Sequence, residues 1–99
     1  MEVKIKAIHF DATLKLQAFI QKKAEKLEQN CEEIRKVEVS LKVVKPETAM
    51  NKEVSVKVSV KNEELFADKV CDTFEEAVDE CVEALLRQLS KYKEKQRGR

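Results

Sequence analysis

Apolar and polar residues follow two different periods along this chain, and the switches between them mark out six elements. VKIKAI (3–8) alternates, with Val3, Ile5 and Ala7 on one side and Lys4 and Lys6 on the other. A period of two predicts a half-buried strand. From about 12 to 29 the apolar positions become Leu16, Phe19, Ile20, Ala24 and Leu27, the spacing of an amphipathic helix. Asp11 or Thr13 can cap it. Residues 31–35 connect it to VEVSLKVV (37–44), which alternates again with Val37, Val39, Leu41 and Val43 inward. KPETAMNK (45–52) holds the only Pro and reads as a loop. EVSVKVSV (53–60) sets Val54, Val56, Val58 and Val60 against Ser55, Lys57 and Ser59. KNEE (61–64) reads as a tight turn with Asn62 suited to a left-handed backbone, and LFADKV (65–70) as a shorter, weaker strand. TFEE (73–76) is a capping box. It opens a long helix whose apolar stripe is Phe74, Ala77, Val78, Cys81, Leu85, Leu89 and Tyr92, running to about Lys95.

The order β-α-β-β-β-α predicts an α+β two-layer sandwich: a four-stranded mixed sheet with both helices on one face. Residues 1–95 form one domain, and 96–99 a basic, frayed tail. A right-handed crossover makes the first two strands parallel. Hairpin-like connections then reverse the chain twice. Each helix therefore starts at the same end of the sheet, and the two helices run parallel. The outer sheet face offers Lys4, Lys6, Glu38, Ser40, Lys42, Ser55, Lys57 and Ser59, with no aromatic on which an RNA base could stack. From helix to helix the α-β-β-β-α order is that of a double-stranded-RNA-binding domain. That module, however, docks with a basic start to its second helix, and this helix starts acidic.

Composition removes several function classes. The single Gly, Gly98, excludes a Gly-rich phosphate loop. One His and no GxSxG or HExxH leave no catalytic constellation. Cys31, Cys71 and Cys81 form no CxxC pair and read as free thiols in a reducing compartment. No metal site and no cofactor are expected. No apolar run approaches the roughly 18 residues of a membrane span. The start of the chain shows no secretory h-region, so the expected compartment is the cytoplasm.

Charge changes the picture most. The chain has 20 Lys/Arg and 19 Asp/Glu, a net charge of +1. Its last thirteen residues, RQLSKYKEKQRGR, hold six cations (Arg87, Lys91, Lys93, Lys95, Arg97 and Arg99) against Glu94 alone. Removing these leaves fourteen cations against eighteen acids in residues 1–86. At about 100° per residue, Lys15, Lys22 and Lys26 fall within roughly 40° on one flank of the first helix, with Lys23 able to snorkel past Phe19. Arg87, Lys91 and Lys95 form one row on the second. Acids at the start of that helix and bases at its end also complement the helix dipole, which acts mainly over one turn. The two readings are a solvated face and a polyanion site at the end shared by both helices.

ATLKLQAFIQKKAEKLEQ (12–29), VEVSLKVV and FEEAVDECVEALLRQLSKYKEK (74–95) resemble the first helix, second strand and last helix of the bacterial ribosome hibernation promoting factor and ribosome-associated inhibitor family, the sigma-54 modulation proteins. The most specific piece is LLRQLSKYKEK. The resemblance implies a factor of the short form that binds the small ribosomal subunit in the mRNA and tRNA decoding channel. It implies inhibition of translation in stationary or starved cells, in competition with mRNA and tRNA. It also implies that Lys23, Lys26, Arg87, Lys91 and Lys95 contact ribosomal RNA. The wheel and the charge count extend this set to Lys22, Lys93 and the two terminal arginines, Arg97 and Arg99. A monomer off the ribosome, with no enzymatic activity, is expected. The chain departs from the family in having Ala7-Ile8-His9 where a Gly usually follows the first strand, and Glu75 where the last helix often has an aromatic. Another RNA-binding or ribosome-assembly module, and a protein-interaction adaptor, are the competing readings.

Overall fold

The computed structural model describes residues 1–44 and 50–97, with side chains as far as Lys95. Six elements appear in the expected order: β1 (Glu2–Ala7), α1 (Leu14–Asn30), β2 (Lys36–Val43), β3 (Lys52–Ser59), β4 (Glu64–Cys71) and α2 (Phe74–Arg97). The sheet order is β1-β2-β3-β4. β1 lies parallel to β2, and the other two pairs are antiparallel. Positions 45–49 of the expected loop lie outside the described residues.

Local chemistry explains where the helices start. Thr13, not Asp11, caps α1: its Oγ1 accepts from the Leu16 amide at 3.1 Å. Thr73 accepts from the Glu76 amide at 3.1 Å, as the capping box requires. Each such cap is worth about 1 kcal/mol. The sheet register aligns Val37, Val58 and Leu65 in one cross-strand row and Val39, Val56 and Ala67 in the next. Leu16, Ile20, Ala24 and Leu27 from α1 pack beneath them, with Ala77, Val78, Cys81, Leu85, Leu89 and Tyr92 from α2. Val82, outside the expected stripe, is also buried, in the seam between the helices beside Lys23 and Ala24.

Three expectations are corrected. Asn62 does not take a left-handed backbone; among the described non-glycine residues only His9 (φ 67°) and Met50 (φ 54°) do. The Val60 amide donates to the Glu63 carbonyl at 3.0 Å, so Lys61 and Asn62 make a two-residue connection. A type I′ turn there would need positive φ at both residues, and the Cβ of Lys61 opposes it. β4 is not a short strand, because it pairs with β3 over eight residues, from Glu64 opposite Ser59 to Cys71 opposite Lys52. The outer face does carry an aromatic: Phe66, opposite Lys57, is 54% exposed. It stands on the edge strand, away from the central strands.

The strand directions decide the helix directions. β1 and β4 point the same way, and each runs directly into a helix, so α1 and α2 start at one end of the sheet. Contacts agree at both ends. Phe10, before α1, stacks on Phe74, the first residue of α2, with centroids 5.2 Å apart. At the other end Lys93 Nζ donates to the carbonyl of Asn30, the last residue of α1, at 2.7 Å. The helices are therefore parallel. α2 is the longer, 24 residues against 17, and Tyr92 is the last buried residue among its described side chains. Its final turn continues past the core, in a molecule measuring 50 × 23 × 17 Å.

Candidate nucleic-acid interface

The expected cations occupy two flanks of α2. Lys93 stands about 160° around the helix from both Lys91 and Lys95. It faces α1, where it reaches Asn30. The Asn30 side chain in turn donates to the Lys26 carbonyl at 2.9 Å, so Lys26 stands one turn from the carbonyl that Lys93 grips. On that side, then, Lys22, Lys26 and Lys93 are exposed. Lys91 and Lys95 lie on the other flank, where they line a cleft with Glu63 and Leu65 at the start of β4. Arg87, exposed, continues their row by one turn. The rows meet at one end of the molecule, but the body of α2 stands between them. Arg97 belongs to α2, and its side chain lies outside the described residues, as does Arg99.

Lys23 is the exception. It does not project with its neighbours. Its ammonium sits 2.6 Å from Asp79 Oδ1 and 5.4 Å from the centre of the Phe19 ring. Between α1 and the acidic half of α2, its charge is already matched, and its stem covers Phe19. The last turn of α1 holds no basic residue. For α2 the helix dipole accounts for Glu75 and Glu76 in the first turn, but it does not require cations on two flanks over three turns.

The surroundings of Lys91 and Lys95 could be read only in part from the chain. The cleft, of about 220 Å³, is also lined by Gln88 and Tyr92. Gln88 precedes Lys91 by three residues and shares its side of the helix, a signal visible on a wheel. Its Nε2 donates to the Phe66 carbonyl at 2.9 Å and ties α2 to the edge strand. Glu63 comes from a hairpin, and no local spacing indicates it. Tyr92 donates its hydroxyl to Glu33, in the connector after α1. That hydrogen bond, with burial and the Glu33 charge, pushes the Tyr92 pKa up to about 12. The phenol therefore stays protonated and holds the end of α2 against the connector.

Four further ionisable groups lie in the core or on the outer sheet face. Cys31, Cys71 and Cys81 are buried free thiols. Burial, then the Glu80 hydrogen bond and charge, raise Cys71 to about 11, and burial above all raises Cys81 to about 12. Thiols held protonated are poor nucleophiles. Among the described residues, Cys71, Glu76 and Glu80 bring potential ligand atoms within 4.8 Å of one another. Cys71 Sγ donates to Glu80 at 3.5 Å, so an ion would have to displace that proton. On the outer sheet face burial tends to raise the Glu38 pKa. The ammoniums of Lys36 and Lys57, at 3.5 and 3.6 Å, outweigh it and hold the carboxyl below its ordinary value. No described helix is long and apolar enough to cross a membrane.

Several solved structures share this fold, two of which illustrate it. A ribosomal subunit interface protein from Coxiella burnetii superposes with a TM-score of 0.84 at 24% identity, covering 94% of this chain and 98% of that one. The N-terminal domain of Thermus thermophilus Protein Y gives 0.78 at 16% identity, covering 93% and 99%. No curated protein sequence matches the chain. The family model described as sigma 54 modulation protein / S30EA ribosomal protein matches residues 3–97. Carrying that match over nearly its whole length, the chain belongs to the sigma 54 modulation protein / S30EA ribosomal protein family.

Proposed function

We propose that the protein is a ribosome hibernation factor. It binds the small ribosomal subunit in the channel used by mRNA and tRNA and inhibits translation in stationary or starved cells. Family membership supports an association with the ribosome. The observation that carries the finer reading is the cationic end of α2, with Lys91 and Lys95 on one flank and Lys93, near Lys26, on the other. A helix about 10–12 Å across that bears ammonium groups on both sides fits between two tracks of phosphate. A single flat polyanion would meet only one row. The contacts are Lys22, Lys26, Arg87, Lys91, Lys93, Lys95 and Arg97, with Lys23 joining only if it leaves Asp79. The protein acts in the cytoplasm as a monomer until it binds, competes with mRNA and tRNA, and needs no cofactor or catalytic step.

The test is co-sedimentation with small subunits, using the Lys26→Glu, Arg87→Glu, Lys91→Glu, Lys95→Glu variant. Binding should be lost while circular dichroism shows an intact fold. Binding unchanged by both salt and substitution removes the reading. Protection of small-subunit RNA in the mRNA channel, arrest of cell-free translation and competition with initiator tRNA then separate a decoding-channel inhibitor from an assembly factor. One observation favours an adaptor instead: Phe66 and Val70 are exposed on the outer edge of the sheet, at 54% and 38%. Phe66→Ser should leave ribosome binding intact if the cationic helix is the interface.

A further inference from the structure

We propose that the cleft between the end of α2 and the β3–β4 turn receives a single unstacked RNA nucleotide and favours guanine over uracil. The inference rests on the reading of α2 as an RNA-binding element and names the unit it recognises. The cleft, about 220 Å³, combines three kinds of group in one place. Lys91 and Lys95, exposed and one turn apart, stand at its rim and supply ammonium groups for the nucleotide's phosphates. Leu65 and Tyr92, both buried, give it apolar walls against which a base can lie. The Tyr92 hydroxyl is engaged with Glu33, so the ring is held in place.

The third kind of group reads the base. Glu63, exposed, is carried on the tight β3–β4 connection that Val60 and Glu63 close at 3.0 Å. Gln88 spends one amide N–H on the Phe66 carbonyl and keeps its amide oxygen as an acceptor. A carboxylate beside a cation pair is electrostatically unfavourable for RNA unless it accepts hydrogen bonds from a base. Unstacked bases present their Watson–Crick edges to such groups. Guanine offers a carboxylate two parallel donors, N1–H and N2–H. Cytosine and adenine each offer one exocyclic amine. Uracil presents N3–H between two carbonyl oxygens, which the carboxylate repels.

The experiment uses fluorescent hexauridylates in which one central residue is guanosine, cytidine, adenosine or uridine, titrated with the full chain at low salt and read by anisotropy. The guanosine oligomer should bind about tenfold more tightly than the all-uridine one, the scale of one bidentate pair. Glu63→Ala should erase the preference while tightening binding to the all-uridine oligomer, because a negative charge is removed. Lys91→Ala should weaken all four about equally. Equal affinities for the four oligomers, or a guanosine preference that survives Glu63→Ala, overturns the proposal. Co-sedimentation of the wild type with small subunits is measured alongside. Co-sedimentation without base preference sinks the cleft alone, whereas preference without co-sedimentation sinks the ribosomal reading alone.

Discussion

Lys23 Nζ lies 2.6 Å from Asp79 Oδ1, and the pair joins the middle of α1 to the acidic half of α2. The side chains are 26% and 53% exposed, so water screens the pair and its worth is below about 1 kcal/mol. Lys23→Met keeps the stem over Phe19 and removes the charge. It should lower unfolding free energy in urea by less than about 1 kcal/mol. It should weaken small-subunit binding less than Lys26→Met does. Equal losses from the two variants would mean that Lys23 abandons Asp79 for RNA.

If about six phosphates are neutralised, the log–log dependence of affinity on salt should have a slope of roughly −4 to −5. Lys91→Ala should make that slope shallower by about one, since it deletes one phosphate contact. Filter binding between low and moderate salt measures both. A flat salt dependence would show that the cations are not the contact.

His9 takes a left-handed backbone at φ 67°, two residues after β1. A side chain with a Cβ pays about 1–2 kcal/mol in that conformation. Part of this returns as unfolded-state entropy when Gly replaces it. His9→Gly should therefore raise stability by about 0.5 kcal/mol and the melting midpoint by about 2–4 °C. His9→Val, β-branched, should lower both. Differential scanning calorimetry distinguishes the outcomes.

Glu38 and Tyr92 act on stability at opposite ends of the pH range. Glu38 has a lowered pKa in the fold, so its contribution is present above the ordinary value of 4.5 and disappears as pH falls through the lowered one. Glu38→Gln should flatten the acid limb of the stability curve. Tyr92 has a raised pKa, so its contribution is complete below 10.0 and disappears as pH rises towards about 12. Tyr92→Phe should lessen the alkaline loss, and the remainder comes from Cys71 and Cys81, whose raised thiols lose stability in the same direction. Urea midpoints across pH test each limb separately.

Buried thiols held protonated should resist alkylation in the native state. Iodoacetamide at neutral pH should label Cys71 and Cys81 only as fast as the chain opens, and all three cysteines readily in denaturant. Rapid native labelling of Cys71 would instead show an accessible thiolate beside Glu76 and Glu80.

The legibility of this fold varies along the chain for physical reasons. Elements with one wet and one dry face were readable, because side-chain period reports backbone geometry directly: Val54, Val56 and Val58 alternate, and Leu16, Ile20, Ala24 and Leu27 recur each turn. Thr73 was readable as a cap because capping is local. Asn62 misled because turn type depends on both central residues, and Lys61 decided it. β4 looked weak because its exposed positions include Phe66 and Val70, while its length follows from pairing with β3. For the candidate site, the count of cations at the end of α2 was plain, whereas the engagement of Lys23 by Asp79 was not. Those residues lie 56 positions apart and share no spacing rule.

The chain by itself determined the order of elements, the dry faces, the Thr73 cap and the gathering of cations in its last thirteen residues, all of which depend on neighbours within a turn or a strand. It also determined the parallel course of the helices, once the crossover rule and two reversals were applied. The tertiary structure alone decided which cations remain available. It also placed them on two flanks of α2 and set Glu63, Leu65 and Gln88 beside Lys91 and Lys95. These depend on the rotation of one helix against another and on where a hairpin ends beneath it, and packing across the core sets both.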